Sequence, residues 1–187
     1  LARLAVADLG SVVIVSGAPG CGKTTLAREL AAADPQGVHL VSDFFYEFLA
    51  KPIDPSTPES QHQNGVILQA VARATHAFAN GGYTVYVDGV IGPWFLDVFQ
   101  EALAPDIPTH YIVLEVSEKE ALDRVRHRDG PGLSPIVLRM VPQFVELGAL
   151  ARHAIDTVDR SEAEVREIVT EGLAGGLFEL DWRLVSS

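Results

Sequence analysis

Residues 14–30 of the chain read IVSGAPGCGKTTLAREL. The stretch begins in an apolar, β-branched segment, residues 11–17, whose length and valines favour a buried strand. It then crosses three glycines and continues into a helical pattern over residues 24–33. The sequence therefore predicts a strand, a glycine-rich turn and a helix in direct succession.

The turn matches the pattern G-x-x-x-x-G-K-[ST] over residues 17–24, in the strand-to-helix context that this pattern requires. Its glycines let successive N–H groups and the positive end of the helix face phosphate oxygens. Lys23 is expected to bridge the β and γ phosphates of ATP, and the Thr24 hydroxyl to hold Mg²⁺. An ordinary glycine-containing turn needs neither a Lys-Thr pair nor three glycines. The predicted ATP ligands in this turn are Gly17, Ala18, Pro19, Gly20, Cys21, Gly22, Lys23, Thr24 and Thr25.

Length and charge limit the classes of function. The 187 residues suit one domain, spanning 1–187, and no apolar run approaches the roughly 18 to 20 residues that cross a bilayer. The net charge of -11 disfavours nucleic acid as a partner. One cysteine and an N-terminus broken by Arg3 and Asp8 lead us to expect a cytoplasmic protein without a membrane partner. Monomer and homodimer both stay open.

Four more segments have the same form as the first strand. They cover residues 38–43, 83–89, 109–117 and, more weakly, 151–157, with helical patterns between them. Strands that alternate with helices require crossover connections, which favour parallel pairing and helices on both faces. The expected fold class is a three-layer α/β domain with a mostly or fully parallel five-stranded sheet.

Capping residues and prolines predict the helix boundaries. Thr57-Pro58 predicts the start of a helix that Gly81-Gly82 ends. Pro142 is expected to kink a helix that runs from Ser134 to Leu147. Further starts are predicted at Pro93 and at the capping boxes of Ser117 and Ser161. The apolar positions with helical spacing in the long second helix are Val66, Ile67, Ala70, Val71, Ala74 and Phe78.

Aspartates close two of the predicted strands. Ligands of open parallel sheets bind beyond the carboxyl ends of the strands, so Asp43 and Asp88 are expected beside the glycine-rich turn. Either carboxylate could contact the substrate, accepting a proton from an attacking hydroxyl or orienting it, and Asp88 could hold Mg²⁺ through water. The alternative for each is a solvated or helix-capping carboxylate.

Two arginines and a tryptophan complete the candidate site. Arg124 and Arg128 share one helix face, and the glycine-bounded segment after them predicts a short lid around residues 127–136. Guanidinium groups suit the charge of a transferred phosphoryl group, which makes Arg128 a catalytic candidate. The alternative is a solvated basic face in which Glu120 pairs with Arg124. Trp94 either lines an acceptor pocket or packs in the core.

Five segments together resemble the small P-loop kinases, the family that includes chloramphenicol phosphotransferase and, more distantly, gluconate and shikimate kinases. They are GAPGCGKTTLAREL, VSDFFYEFL, VYVDGVIG, LDRVRHR and RHAIDT. The resemblance implies a P-loop NTPase fold with a short lid and Asp43 as the base. It also implies that Arg124 binds near the adenine and the phosphates of ATP, that Arg128 binds the phosphates, and that the segment around Asp156 and Thr157 lies near the adenine.

The function that follows is transfer of the γ-phosphoryl group of ATP to a hydroxyl of a small molecule, which would be antibiotic-like, sugar-like or another metabolite. One alternative is a nucleoside monophosphate kinase-like enzyme, because DGVIGP resembles a segment of that group. Those enzymes clamp the acceptor phosphate with arginines that are missing after residue 43 and after Pro93, which favours an uncharged or weakly charged acceptor. A switch ATPase is the second alternative. The aromatic residues expected near a bulky acceptor are Phe44, Phe45, Tyr46, Phe48, Trp94 and Phe95.

Overall fold

A computed structural model describes residues 9–130, 132 and 134–185, with only the backbone of Asp129. Five strands form one parallel sheet in the order β2-β3-β1-β4-β5. This topology confirms the expected α/β fold with a fully parallel sheet. The strands are β1 (Ser11–Gly17), β2 (Gly37–Val41), β3 (Thr84–Asp88), β4 (Thr109–Glu115) and β5 (Ala154–Asp156).

Six α-helices accompany the sheet in the described residues. Right-handed crossovers place the first helix on one face and the second and third on the other; contacts between the first and sixth helices and between the second and third agree with this. Among the described residues, no helix combines the length and apolarity needed to cross a lipid bilayer. The helices are α1 (Lys23–Ala33), α2 (Gln61–Asn80), α3 (Leu96–Ala102), α4 (Glu118–Asp129), α5 (Ser134–Met140) and α6 (Glu162–Ala174).

The two central strands carry the core. Residues 12–15 of β1 and 111–114 of β4 are at most 3% exposed, as expected for parallel strands covered on both faces. Strand β1 lies between β3 and β4, with Val15 paired to Asp88 on one side and to Ile112 on the other. The glycine-rich turn therefore leaves the middle of the sheet at the edge where ligands of this architecture bind.

A buried hydrogen-bond network fixes the chain around that edge. The Ser16 hydroxyl donates to the Ile91 carbonyl at 2.8 Å and accepts from the Ile91 amide at 2.9 Å. The Tyr111 hydroxyl donates to the same carbonyl at 2.8 Å, and burial raises the pKa of Tyr111. The network joins the end of β1 to the turn after β3, so the residues that follow β3 are held beside the glycine-rich turn.

Ser16→Ala is expected to lower the free energy of unfolding by about 1 to 3 kcal/mol, because the Ile91 amide loses its partner in a fully buried site. Urea unfolding followed by circular dichroism measures the change. Ser11→Ala, at the partly exposed start of the same strand, is the matched control. Equal stability losses in the two variants would contradict the assignment.

The buried face of α2 differs from the predicted one. Ile67 and Val71 are buried as expected, but Val66 is 51% exposed and Phe78 is 42% exposed. The stripe is rotated because Thr75 can enter the core, where its hydroxyl donates to the Val71 carbonyl at 2.9 Å. Ala70 is also exposed, and the other buried members of the face are Leu68, Ala72 and Ala79.

The predicted helix starts have different outcomes. Pro58 and Pro93 begin short 3₁₀-helices, Pro58–Ser60 and Pro93–Phe95, which directly precede α2 and α3, and α2 ends before Gly81 as predicted. Ser161 forms a complete capping box with Glu164. Ser117 accepts the backbone N–H of Glu120 at 3.2 Å, but the Glu120 side chain pairs with Arg124 and does not close the box.

Three predicted boundaries need correction. Strand β2 ends at Val41 and gives way to a 3₁₀-helix, Ser42–Phe48, so Asp43 follows the strand without belonging to it. The predicted 134–147 helix ends at Met140 instead of kinking, because Pro142 lacks the N–H that would continue it. Before β5, residues 148–153 form a 3₁₀-helix.

A buried histidine joins β4 to the segment before β5. The Nδ1 atom of His153 lies 2.9 Å from the Tyr111 carbonyl, and the Arg152 Nε–H donates to its Nε2 at 3.3 Å. Because Nε2 accepts a hydrogen bond, Nδ1 carries the proton and the ring is neutral. Burial is the main cause that lowers the pKa of His153.

Acid is therefore expected to destabilise the fold through His153. Above about pH 6.5 the ring is neutral in both states; below that value the unfolded chain binds a proton that the folded chain resists, so stability falls. His153→Asn retains a donor for the Tyr111 carbonyl and should show a smaller loss of melting temperature between pH 7.5 and pH 5. The exposed His62→Asn variant is the control. Identical pH profiles for all three proteins would show that His153 contributes nothing.

Candidate functional site

The glycine-rich turn has the geometry that a phosphate loop requires. Gly17 and Gly20 have φ angles of 139° and 87°. A Cβ atom at Gly17 would lie 2.5 Å from the Leu114 carbonyl oxygen, and one at Gly20 would lie 2.8 Å from the Ala121 carbonyl oxygen. The close approach of β4 and α4 thus allows only glycine at these two positions.

Two side chains of the loop, Ala18 and Cys21, are buried and hold it against the core. Ala18 and Cys21 are each 2% exposed, and burial raises the pKa of the Cys21 thiol. Helix α1 begins directly after the loop; its N-cap, Gly22, supplies no side-chain hydrogen bond, and its first turn holds no acidic residue. The loop amides and the positive helix end therefore form a site for an anion.

Two cavities lie on either side of this loop. The small cavity has a volume of about 410 Å³, and the large cavity about 740 Å³. Arg128 lines both, which places it between them. The small cavity is lined by Gly20, Gly22, Thr25, Arg124 and Thr157, among others.

The large cavity brings most of the predicted catalytic residues together. Lys23 and Thr24 line it from the phosphate loop, and the exposed Asp43 lines it from the 3₁₀-helix after β2. Trp94 forms part of the same wall, with its ring centroid 5.7 Å from that of Phe144. A cationic side chain, a hydroxyl and an accessible carboxylate thus share one cavity.

Arg124 combines the two interpretations that the sequence left open. Its side chain lines the small cavity and pairs with Glu120, four residues earlier on α4. It also donates from Nη1 to the Gly20 carbonyl at 3.3 Å. The ion pair therefore holds Arg124 against the phosphate loop.

Asp88 lies at the end of β3, as predicted, and pairs with Val15, two residues before the start of the glycine-rich turn. It is 2% exposed and is not among the residues that line either cavity, so its contacts with a substrate and with Mg²⁺ stay predictions. His39 Nε2 lies 3.5 Å from its Oδ2 atom. Within the described residues, neither carboxylate oxygen accepts a hydrogen bond.

The residues around the loop fit Mg²⁺ better than a metal held only by protein. Within the described part of the chain, no three His, Cys, Asp or Glu side chains cluster as a metal site. Mg²⁺ in nucleotide sites is held by phosphates, waters and one or two carboxylates, which suits the Thr24 hydroxyl together with the unbonded oxygens of Asp88.

The aromatic residues near residue 43 divide between the cavity and the surface. Tyr46 and Phe95 line the large cavity, whereas Phe44 and Phe48 are 60% and 79% exposed and do not. Tyr46 donates to Asn64 Oδ1 at 3.0 Å. Burial and then the Asp43 charge raise the pKa of Tyr46 to about 12, so its hydroxyl stays a donor.

Sequence reasoning missed a polar wall of the large cavity. This wall comes from the loop before α2, from α2 itself, from α5 and from the 3₁₀-helix after α5, and its members are Ser56, Gln61, Asn64, Arg139 and Gln143. On and after α5, the lining residues recur every three to four positions, which is a signal that could have identified a common face. The proline-rich loop at residues 50–59 reaches the cavity through residues 55–58.

The structure describes part of the predicted lid, residues 127–136. Pro131 and Leu133 lie outside the described residues. On either side of them, Arg126 Nε donates to Ser134 Oγ at 3.2 Å, which joins the end of α4 to the start of α5. The lid itself stays a prediction.

A family model described as an AAA domain matches residues 13–132, from β1 to the end of α4 and just beyond. The match covers more than half of the chain. The chain belongs to the AAA domain family. None of the curated proteins shows significant sequence similarity to it.

Solved structures resemble this AAA domain over most of its length. A gluconokinase from Sinorhizobium meliloti 1021 is 20% identical, with 90% of this chain and 94% of that chain covered and a TM-score of 0.63. A sugar kinase from Janibacter sp. HTCC2649 is 19% identical, with 88% and 95% covered and a TM-score of 0.67. The Mycobacterium tuberculosis APS kinase CysC, solved with AMPPNP and APS, is 15% identical, with 89% and 98% covered and a TM-score of 0.64.

These likenesses confirm that the AAA domain has the P-loop kinase-like fold that its motifs predicted. At such identities they establish the fold alone.

Proposed function

We propose that this AAA domain is an ATP-dependent phosphotransferase that moves the γ-phosphoryl group of ATP to a hydroxyl of a small molecule. The observation that carries the proposal is the lining of the large cavity. Lys23 and Thr24 of the phosphate loop and the accessible carboxylate of Asp43 line the same cavity. A transfer reaction needs a donor site and an acceptor site in contact. The phosphate loop would be the donor site, and the adjoining cavity with the Asp43 carboxylate would be the acceptor site.

In this proposal the phosphate loop binds the donor. The backbone N–H groups of residues 17–22 other than Pro19, together with the start of α1, hold the phosphate oxygens, while Lys23 bridges the β and γ phosphates. The small cavity, with Thr157 on its wall, accepts the nucleoside. Arg124, held by Glu120 and the Gly20 carbonyl, keeps the loop in its binding conformation.

Thr24 and Asp88 are the residues proposed to hold Mg²⁺, Thr24 through its hydroxyl and Asp88 through water. The bound cation would neutralise negative charge on the β and γ phosphates. The charge of the buried Asp88 lies close to the loop, since it raises the pKa of the Cys21 thiol, although burial is the main cause of that shift.

Asp43 and Arg128 act on the transferred group. Asp43 orients the acceptor hydroxyl and accepts its proton as the oxygen attacks the γ phosphorus. Arg128, on the wall of both cavities, donates to the phosphoryl oxygens during transfer. Trp94 and Tyr46 flank the acceptor on the apolar side of the large cavity.

A nucleoside monophosphate kinase-like reaction is the second candidate. Arg139 lines the large cavity from α5, so the cavity does contain a guanidinium group, although at neither of the positions that the sequence comparison tested. A phosphate acceptor would use it. A switch ATPase has less support, because hydrolysis alone gives no role to a second cavity of about 740 Å³.

The test is acceptor-dependent ADP release. The protein with Mg-ATP is assayed against hydroxyl compounds (antibiotics, sugars, sugar acids and nucleosides), against nucleoside monophosphates, and without an acceptor, with products identified by mass spectrometry. A phosphate ester on a hydroxyl compound supports the proposal. Nucleoside diphosphate products would instead support the second candidate, and acceptor-independent hydrolysis as the sole activity would support the switch.

A further inference from the structure

We propose that the large cavity contains a subsite for an anionic group of the acceptor, a carboxylate or a phosphate, and that Arg139 recognises it. The inference rests on the proposed function, because it assigns a substrate class to the same cavity. The sequence had favoured an uncharged or weakly charged acceptor, since arginines were missing after residue 43 and after Pro93. The fold supplies one from α5 instead.

Arg139 is positioned by a contact across the cavity mouth. Its Nη2 atom hydrogen-bonds to Ser56 Oγ in the loop before α2, 83 residues away in sequence. Ser56 Oγ donates to Asp54 Oδ1 at 2.6 Å, and the Ser56 amide donates to the same oxygen at 2.9 Å. The serine is thus fixed by Asp54 and presents a lone pair to the guanidinium. Ser56 engages one N–H of a group with five, and a guanidinium fork binds an anion through a pair of them.

The charge of the cavity lining is opposite to that of the protein. The chain has a net charge of -11, yet the charged residues that line the large cavity are Lys23, Asp43, Arg128 and Arg139, three cations and one carboxylate. Lys23 and Arg128 are assigned to the triphosphate. Arg139 lines the cavity from α5 and hydrogen-bonds to Ser56, and its charge also acts on the exposed Asp54. Its other donors can bind a second anion that the acidic surface would otherwise repel.

The residues around Arg139 describe the rest of the acceptor. Gln61 and Gln143 also line the cavity with uncharged polar side chains suited to hydroxyl groups, whereas the Asn64 amide hydrogen-bonds to Tyr46, Pro55 and Ser60. Tyr46 and Trp94 supply an apolar wall for the carbon skeleton. The combination fits a hydroxylated acid or a phosphorylated polyol better than a neutral polyol.

The experiment compares acids with neutral compounds of the same skeleton. The pairs are D-gluconate with D-glucitol, mandelate with 1-phenylethane-1,2-diol, and glucose 6-phosphate with glucose. Each is assayed for ADP release and for its effect on the melting temperature of the protein saturated with Mg-AMPPNP. The proteins are wild type, Arg139→Gln, Arg139→Lys, Ser56→Ala and, as control, Arg73→Gln on the exposed side of α2.

At least one acid is expected to raise the melting temperature of the wild-type complex and to exceed its neutral counterpart in kcat/KM. Arg139→Gln should lower kcat/KM for that acid by about 10- to 100-fold, the range for a hydrogen bond to a charged group. The value of kcat/KM for the neutral compound should stay within about twofold of wild type. Arg139→Lys should restore part of the preference, Ser56→Ala should weaken it, and Arg73→Gln should not change it. The carboxylate and phosphate pairs show which anion is bound.

Two results would overturn the inference. One is that no acid raises the melting temperature of the wild-type complex. The other is that Arg139→Gln lowers kcat/KM equally for the acid and for its neutral counterpart. Failure of the proposed function is distinguishable: acids would then stabilise the wild-type complex in an Arg139-dependent manner while no compound released ADP or gained phosphate.

Discussion

Lys23→Met is expected to lower the rate of phosphoryl transfer by about 10³-fold or more, the range for removing a group that stabilises transition-state charge. Lys23 lies at the first position of α1 and lines the large cavity, where the γ phosphate would meet the acceptor. Methionine keeps the length and apolar stem of the side chain and removes the charge. The loop backbone and its glycine geometry are retained, so the fold should survive.

Initial rates of ADP release, with the best acceptor of the panel, measure the effect. Affinity for Mg-AMPPNP by calorimetry should fall less than the rate, since the backbone amides of the loop still hold the phosphates. Lys119→Met, an exposed lysine on the first turn of α4, is the matched control and should retain wild-type rates. A Lys23→Met protein that transfers phosphate at the wild-type rate would remove the phosphate loop from the mechanism.

The fold was predictable because its determinants are local. The runs around Val12–Val15 and residues 111–114 are continuously apolar, as buried parallel strands are, and the glycines between β1 and α1 admit one kind of turn. Helices that alternate with strands then favour parallel pairing, whereas the order β2-β3-β1-β4-β5 was not predicted. The buried face of α2 was predicted wrongly because tertiary packing overrides the local apolar pattern there. Thr75 is polar, but its hydroxyl donates to the Val71 carbonyl on the same helix, so its side chain can be buried in the core.

The site divides in the same way. Lys23 and Thr24 were predictable because a contiguous motif fixes their positions relative to the loop backbone. Asp43 and Trp94 were predictable because both follow strand ends, and strand ends meet at one edge of the sheet. Asp88 also lies at a strand end, but a side chain there can point beside the cavity instead of into it. Its direction depends on the pleat of β3 and on packing against His39, and the strand-end position alone does not predict it.

Arg139 was not predictable from any local pattern. Its role depends on a contact with Ser56, 83 residues earlier, and so on how α5 packs over the loop before α2. The expectation of an uncharged or weakly charged acceptor came from comparing two fixed positions with those of another enzyme group. A cavity can obtain the same charge from a different element, so missing arginines at two positions do not establish a neutral site.

Asp43→Asn is expected to lower kcat by about 10²- to 10⁴-fold, the usual contribution of a general base, while the affinity for Mg-AMPPNP stays within about twofold. Asparagine has nearly the same shape and can still orient a hydroxyl, but it cannot take the proton. Asp43 is exposed to the large cavity on the 3₁₀-helix after β2, so the exchange should not affect folding. Asp106→Asn, at an exposed position before β4, is the control.

Acceptor chemistry separates a base from a positioning group. If Asp43 accepts the proton, an acceptor with a more acidic hydroxyl, such as a fluorinated analogue of the best substrate, needs less help and should recover part of the lost rate in Asp43→Asn. If Asp43 only orients the hydroxyl, the variant should lose the same factor with both acceptors. Tyr46 provides an independent check: its raised pKa keeps the hydroxyl protonated at neutral pH, so Tyr46→Phe should leave the pH profile of kcat unchanged below pH 9.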